Sequence, residues 1–404
     1  MDIKNKSAWM AVFVAALGYF VDVFDMFIFS ATRKASLADL GLRGEQIVNE
    51  GIYLLNCQMV GMLIGGVIWG IIGDKYGRLK VLFGSIILYS LGNILNSFVT
   101  DTFQFSIVRF LTGVGLAGEV GAGITLVAEL LPKESRGIGV MIVACCGVMG
   151  PVLAGIVSEL VTWRTAYLIG GIAGLSLLVL RVSVVESSMF ESVNNSNVLK
   201  GSLDLLFKSK ERVIRFIHII MIGTPVWFTA GILVALSPEI ASALGLEGVT
   251  ASKSMIYFSI GMTTGDLASG LISQIFKSRR KVILCFLIAG VVSNVLFLNS
   301  INLSLTQFYI SQFGVGLVIG YWALFLATSA ELFGTNLRAT VSTSVPNIVR
   351  ATIVPLTFII QQIKPTFGFL HSVEILGVVC FGLAIYGVLR CRETFGIDLN
   401  YLEE

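Results

Sequence analysis

The sequence predicts an all-α polytopic membrane protein, with twelve transmembrane helices in two six-helix pseudo-repeats. Three observations carry this. Hydrophobic residues make up 55% of the 404, charged residues only 13%, and mean hydropathy is +0.87. A soluble globular protein carries roughly 25% charge. Apolar runs of about 20 residues recur along the whole length, each long enough to cross a bilayer. The second half of the chain also repeats landmarks of the first.

In chain order, the expected spans are 7–31, 48–73, 79–99, 103–131, 136–161, 163–185, 211–236, 251–276, 281–300, 304–332, 338–363 and 366–390. Twelve spans of about 20–25 residues with short loops use up the length and leave no soluble domain. The first is too long for the h-region of a cleavable signal peptide and is expected to stay as a signal anchor. The longest polar stretch, 186–212, is rich in Ser, Asn and Lys. The expected organisation is an N-terminal bundle (1–185), a linker (186–210), a C-terminal bundle (211–392) and a tail (393–404). Lys and Arg set the orientation: with the N-terminus inside, about 20 of the 28 fall on the cytoplasmic side and about 6 outside. Arg109 and Arg350 remain within spans. Both termini are therefore expected in the cytoplasm, and a bacterial inner membrane is the expected location. The net charge of +3 follows from this bias and gives no reason to expect a nucleic-acid partner. The six cysteines form no C-x-x-C pair and read as small buried hydrophobes.

The halves align at an offset of roughly 200 residues. GIIGDKYGRLK (70–80) lies over GLISQIFKSRRK (270–281), and GVGLAG (113–118) over GVGLVIG (314–320). AELLPKESRG (128–137) lies over AELFGTNLRA (330–339), which superposes Glu129 on Glu331 and Arg136 on Arg338. Two parallel six-span repeats suggest a transporter that rocks one half against the other around a central site. Gly70, Asp74, Lys75, Gly77 and Arg78 keep the pattern G-x-x-x-D-[RK]-x-G-R-[RK], with Leu79 in its last position and the base arriving at Lys80. This loop, RFLTGVGLAGE (109–119) and the two Glu…Arg motifs resemble the major facilitator superfamily, over essentially the whole chain. The resemblance implies the major facilitator fold, alternating access and no enzyme activity. Ala117-Gly118-Glu119 and the D-x-x-D of span one are similar to proton-coupled metabolite and organic-ion symporters. GPVLAG (150–155) resembles instead the core of a drug:proton antiporter motif, with Ala154 replacing a glycine. Proton-coupled export of a metabolite, siderophore-like carboxylate or drug therefore stays open beside symport.

Asp22 and Asp25 are the only charges between Ala8 and Thr32. Three residues apart, they share one helix face, about 4.5 Å from each other along the axis. That face cannot meet lipid and must turn to the central cavity. Two neighbouring carboxylates in a dry site cannot both stay ionised cheaply, which suits proton coupling. Asp25 is the better candidate, because the resemblance places Arg109 opposite a first-span carboxylate as a protonation-gated latch. Glu119 lies about 15 Å deeper than Arg109, among glycines, as a second proton site or substrate contact. Arg350, between Pro346 and Pro355, offers a guanidinium to an anionic substrate, or an internal ion pair with Asp266 or another acid. Asp266 is itself a candidate contact, and Trp227, Tyr257, Tyr321, Trp322, Gln312 and Asn347 are candidates for the pocket lining. The conformational latch is expected in Gly70, Asp74, Lys75, Gly77, Arg78 and Lys80, with Glu129, Arg136, Glu331 and Arg338. The second copy carries Gln274 and Lys277 in place of Asp74 and Gly77. The partners expected are a small-molecule substrate, protons and the lipid bilayer around a monomer, with no cofactor and no metal. No P-loop and no metal-spaced Cys/His cluster points to an enzyme.

Overall fold

The computed structural model describes residues 3–181 and 203–403. Residues 182–202, which hold most of the expected linker and the last residues of the expected sixth span, lie outside the described residues. Among the described residues twelve helical spans follow one another, as the major facilitator fold requires. Span one is Ile3–Asp39, span two Glu45–Tyr76, span three Arg78–Asn96 and span six Trp163–Arg181. Span four is broken into Thr102–Leu116 and Glu119–Leu130, and span five into Lys133–Val148 and Gly150–Leu160. Span seven is Lys210–Phe228, continued by a π-helical turn, Thr229–Val234. Spans eight and nine are Ala251–Phe276 and Arg279–Leu298. Span ten is broken into Leu305–Ile319 and Trp322–Glu331, span eleven into Arg338–Ala351 and Ile353–Phe367, and span twelve is Phe369–Arg390. Eleven of these are apolar and long enough to cross a membrane. Span eight has the length, 26 residues, but Asp266 and a series of Ser and Thr lower its hydropathy.

Side chains start several of these helices. Asp101 accepts from the Gln104 amide, Thr250 from Lys253 and Ser278 from Lys281. Ser304 and Gln307 form a reciprocal capping box. Helices are the natural answer to lipid, because they satisfy every backbone group within one segment. The breaks fall where the chain is thin or branched: at Ala117-Gly118, before Gly150-Pro151, at Gly320-Tyr321 and at Thr352.

Glycines repeat across the halves as the packing does. Gly61 and Gly65 of span two lie against the backbone of Phe110 and Val114 in span four. Gly261 and Gly265 of span eight lie against Phe313 and Leu317 in span ten. A Cβ at any of the four would collide with main chain, so only glycine permits these crossings. Span two packs across the midline on span eleven, and span eight packs across it on span five. The motif resembling an antiporter signature has a local structural use: a Cβ at Gly150 would strike the backbone of Phe20 and Phe24 in span one.

The two ends of the bundle differ. The end carrying the 70–80 turn, here the base, is sealed. The opposite end, the mouth, holds a vestibule of about 1080 Å³.

Candidate functional site

Span one supplies a stripe of residues three or four apart, Tyr19, Asp22, Met26, Ser30 and Arg33, and the other half faces it. At mid-depth Asp22 lies 3.8 Å from Arg350 of span eleven, both with no exposed side-chain surface. Arg350 also donates to Asn347 Oδ1 at 3.1 Å and sits over the Trp227 ring, 5.5 Å from its centroid. Asn347 donates to the Ala117 carbonyl at 2.8 Å, which satisfies a backbone group freed by the break in span four. Trp322 donates to the Tyr19 hydroxyl at 2.8 Å. Trp227 stacks on Phe27 at 5.8 Å and meets Trp322 edge-on at 6.5 Å. Around these rings lies a cavity of about 30 Å³, lined also by Val23, Met26, Val148, Phe258 and Met262. Both oxygens of Asp22, and Nε and Nη2 of Arg350, lack a hydrogen-bond partner. The site thus has apolar aromatic walls and one loosely engaged pair of opposite charges, contributed by opposite halves.

Several expected placements change. Arg109 and Asp25 are not paired: Arg109 donates to Gln58 and lies over the rings of Phe29 and Tyr167, 4.9 and 5.8 Å from their centroids. Asp25 is buried inside the first half, where Gly170 leaves room for its carboxylate. Glu119 is not open to the cavity. It pairs with Arg181 of span six and accepts from Ser85 at 3.4 Å, and Gly18 of span one makes space for the pair. Arg181, inside the expected sixth span but not among the expected site residues, is buried. Arg350 does not pair with Asp266. Asp266 instead accepts from the Ala323 amide at 2.9 Å, as a cap on the second piece of span ten. Tyr257 is 39% exposed and stacks on Tyr309, away from the central rings. Tyr321 donates to the Ile222 carbonyl and Gln312 to the Leu233 carbonyl, so both are bonded within the second half.

The base brings most of the expected latch together. Asp74 accepts from the amides of Ala339 and Thr340 at 3.1 and 2.8 Å, and from the Thr340 hydroxyl at 2.7 Å. A carboxylate of one half thus caps the first turn of span eleven in the other, where the helix dipole favours it. Gly70 lets Thr340 approach, since a Cβ there would meet its Cα. Glu129 lies between Arg78 at 2.9 Å and Arg338 at 3.1 Å, one from each half. Glu331 receives Arg279 in a two-pronged contact, both arms at 2.7 Å. Arg136 and Arg338 each reach back to the chain before them, to the carbonyls of Ala128 and Ala330. Gly77 turns the loop at φ 104°, a value costly for any other residue. Lys75 and Lys80 stay exposed and take no part in the bridge, because the turn points them outward. Residues 391–403 then fold over the seal. Leu399 accepts from Thr335 and Arg338, the amide of Thr335 donates to Tyr401, and Ile397 accepts from Arg136.

The chain is similar over nearly its full length to known proteins. A probable 4-methylmuconolactone transporter of Cupriavidus pinatubonensis is 28% identical over 96% of this chain and 91% of that protein. The benzoate transport protein of Acinetobacter baylyi is 25% identical over 82% of this chain and 78% of that protein. The structure of the proton:xylose symporter XylE bound to 6-bromo-6-deoxy-D-glucose superposes with a TM-score of 0.78 at 16% identity, covering 98% of both chains. That likeness shows the fold. Residues 10–350 match the description of the Major Facilitator Superfamily, and the chain belongs to that family of membrane transporters.

Proposed function

We propose that the protein imports a small organic anion together with a proton, by alternating access across a bacterial inner membrane. The base and both termini face the cytoplasm in this reading, which the excess of Lys and Arg at that end supports. The observation that carries it is the buried Asp22–Arg350 pair between the halves. A buried arginine must keep an anion beside it. A substrate carboxylate can take that place only if Asp22 gives it up. A proton on Asp22 removes the competing charge and spares the site a second negative charge. Anion and proton then enter together and leave together, which is symport. Asp25, one turn nearer the mouth and buried within the first half, is the second proton candidate. Relatives named for benzoate and 4-methylmuconolactone support an organic acid with a flat ring, and Trp227, Trp322 and Phe27 offer ring faces to receive one.

The test is uptake of labelled benzoate and niacin into proteoliposomes under an imposed pH gradient, with internal pH followed by a dye. Symport predicts faster uptake from an acidic exterior, with acidification inside. Asp22→Asn should keep anion exchange and lose the acceleration. Uptake driven by an outward proton gradient would mean antiport and overturn the proposal, as would full gradient dependence in Asp22→Asn.

A further inference from the structure

Above the central site the column between the halves narrows before it opens into the vestibule. A small void shares Met26, Phe27, Trp227 and Ala230 with the central cavity and is lined higher up by Ser30 and Ala235. One turn above Ser30, Arg33 of span one reaches across to Glu239, on the short helix Ser237–Ala243 of the other half, at 2.8 Å. Its stem lies over Gly51, where any side chain would displace it. Glu239 also lines the vestibule, together with Lys34, Asn49, Gln361 and Lys364. The two partners are unequally exposed: the Arg33 side chain is 6% accessible and that of Glu239 23%. Nε of Arg33 and Oε2 of Glu239 have no hydrogen-bond partner.

We propose that Arg33 is a transient carboxylate-binding site at the mouth, and that its bond to Glu239 is a gate opened by the substrate's own charge. The inference rests on the proposed import of an organic anion for its direction of travel. Released Glu239 can swing into the vestibule and be hydrated, whereas Arg33 stays buried and needs an anion at all times. The guanidinium edge formed by Nε and Nη2 accepts a carboxylate side-on through two parallel bonds. Glu239 uses only Nη2 of that edge. An arriving carboxylate that takes both donors therefore holds Arg33 better than Glu239 does, and it parts the only contact described here that ties the halves through this arginine. A cation arriving at the same point meets a positive charge and leaves the gate shut. Lys34 of span one and Lys364 of span eleven, both lining the vestibule, raise the local concentration of anions above it.

The test uses thiol reagents, so it needs no transported substrate. Ala230→Cys, in a background with the six native cysteines removed, places one thiol beside the central cavity in protein held in lipid nanodiscs. Its reaction rate is measured with an anionic (sulfonatoethyl) and a cationic (trimethylammonioethyl) methanethiosulfonate. The expected result is faster reaction with the anion. Glu239→Gln should accelerate the anion by about tenfold, equivalent to about 1.4 kcal/mol of lost closure. Arg33→Gln should open the gate to both reagents and bring their ratio to about one, because the buried charge that discriminates is gone. The exchange Arg33→Glu with Glu239→Arg keeps an ion pair and should restore slow reaction without the anion preference. A preference that survives in Arg33→Gln or in the exchanged pair would overturn the proposal. Loss of this preference with proton-driven anion uptake intact would sink the gate alone. Intact preference without such uptake would sink the import reading alone.

Discussion

Asp74→Asn is the sharpest test of the sealed base. The carboxylate takes three bonds from the other half, two from the Ala339 and Thr340 amides and one from the Thr340 hydroxyl. An asparagine has one acceptor oxygen, so it retains at most one or two of these, as neutral bonds. Hydrogen bonds to a charged group contribute about 1.5–3 kcal/mol and neutral ones about 0.5–1.5. Losing the charge across the set and one bond outright weakens base closure by about 2 kcal/mol, or roughly 30-fold in population. The assay is the reactivity of Thr343→Cys. Thr343 is 1% exposed and packs across the midline against Gly121, so its thiol is reachable only when the base opens. In protein without native cysteines, Asp74→Asn should speed labelling by an impermeant maleimide roughly 30-fold. A change of less than about threefold, under 0.7 kcal/mol, would refute the idea that this cap holds the base shut.

Three further outcomes follow from other contacts. A Cβ at Gly147 would overlap the Tyr19 ring, so Gly147→Ala should push Tyr19 off Trp322, cost about 1–3 kcal/mol by overpacking and lower transport more than it lowers surface expression. Arg181→Met leaves the buried Glu119 charge without its counter-ion and should cost about 3–5 kcal/mol; adding Glu119→Gln should recover much of it, read as melting temperature in detergent. At the base, burial alone would push the Glu393 carboxyl up. Hydrogen bonds from Ser278 and from the amides of Arg279, Phe395 and Thr394 outweigh it and hold the group below its usual value of 4.5. That support is complete above about pH 4.5 and fades as pH falls through the lower folded value, so wild type and Glu393→Gln should differ in melting temperature at neutral pH and converge in acid.

Much of the architecture was legible because lipid leaves the chain few choices. Length and hydropathy locate the spans, and the 70–80 and 270–281 turns mark the duplication. Glu129 and Arg338 meet at the base, where two charged motifs placed at the same depth in both halves have few other places to go. Partner choice inside the bundle was harder to see. Arg109 and Asp25 share a depth, but rotation about each helix axis decides whether they touch, and Gln58 takes the guanidinium. Arg33 stands just beyond the first expected span and Arg181 near the cytoplasmic end of the sixth, where Lys and Arg are common and mark no site. Only the small residues facing them, Gly18 and Gly51, hint that a long side chain folds inward there. Tyr257 could have been set aside by periodicity. Met255, Phe258 and Met262 form the buried face of span eight, and position 257 lies off it.

The fold of residues 391–403 over the base limits how the halves can part. Ile397 is tied to Arg136 of the first half, while Leu399 and Tyr401 are tied to Thr335 of the second. The two sets of ties start two positions apart along the chain, and two residues of extended chain span about 7 Å. There is no slack for a stretched tether. The hydrogen bond from Arg136, long at 3.5 Å, must let go as the halves separate if the segment travels with the second half. A bulky fusion attached after residue 404 would therefore ride on the moving lip of the opening, and would change the energetics of the very step that a transport assay measures.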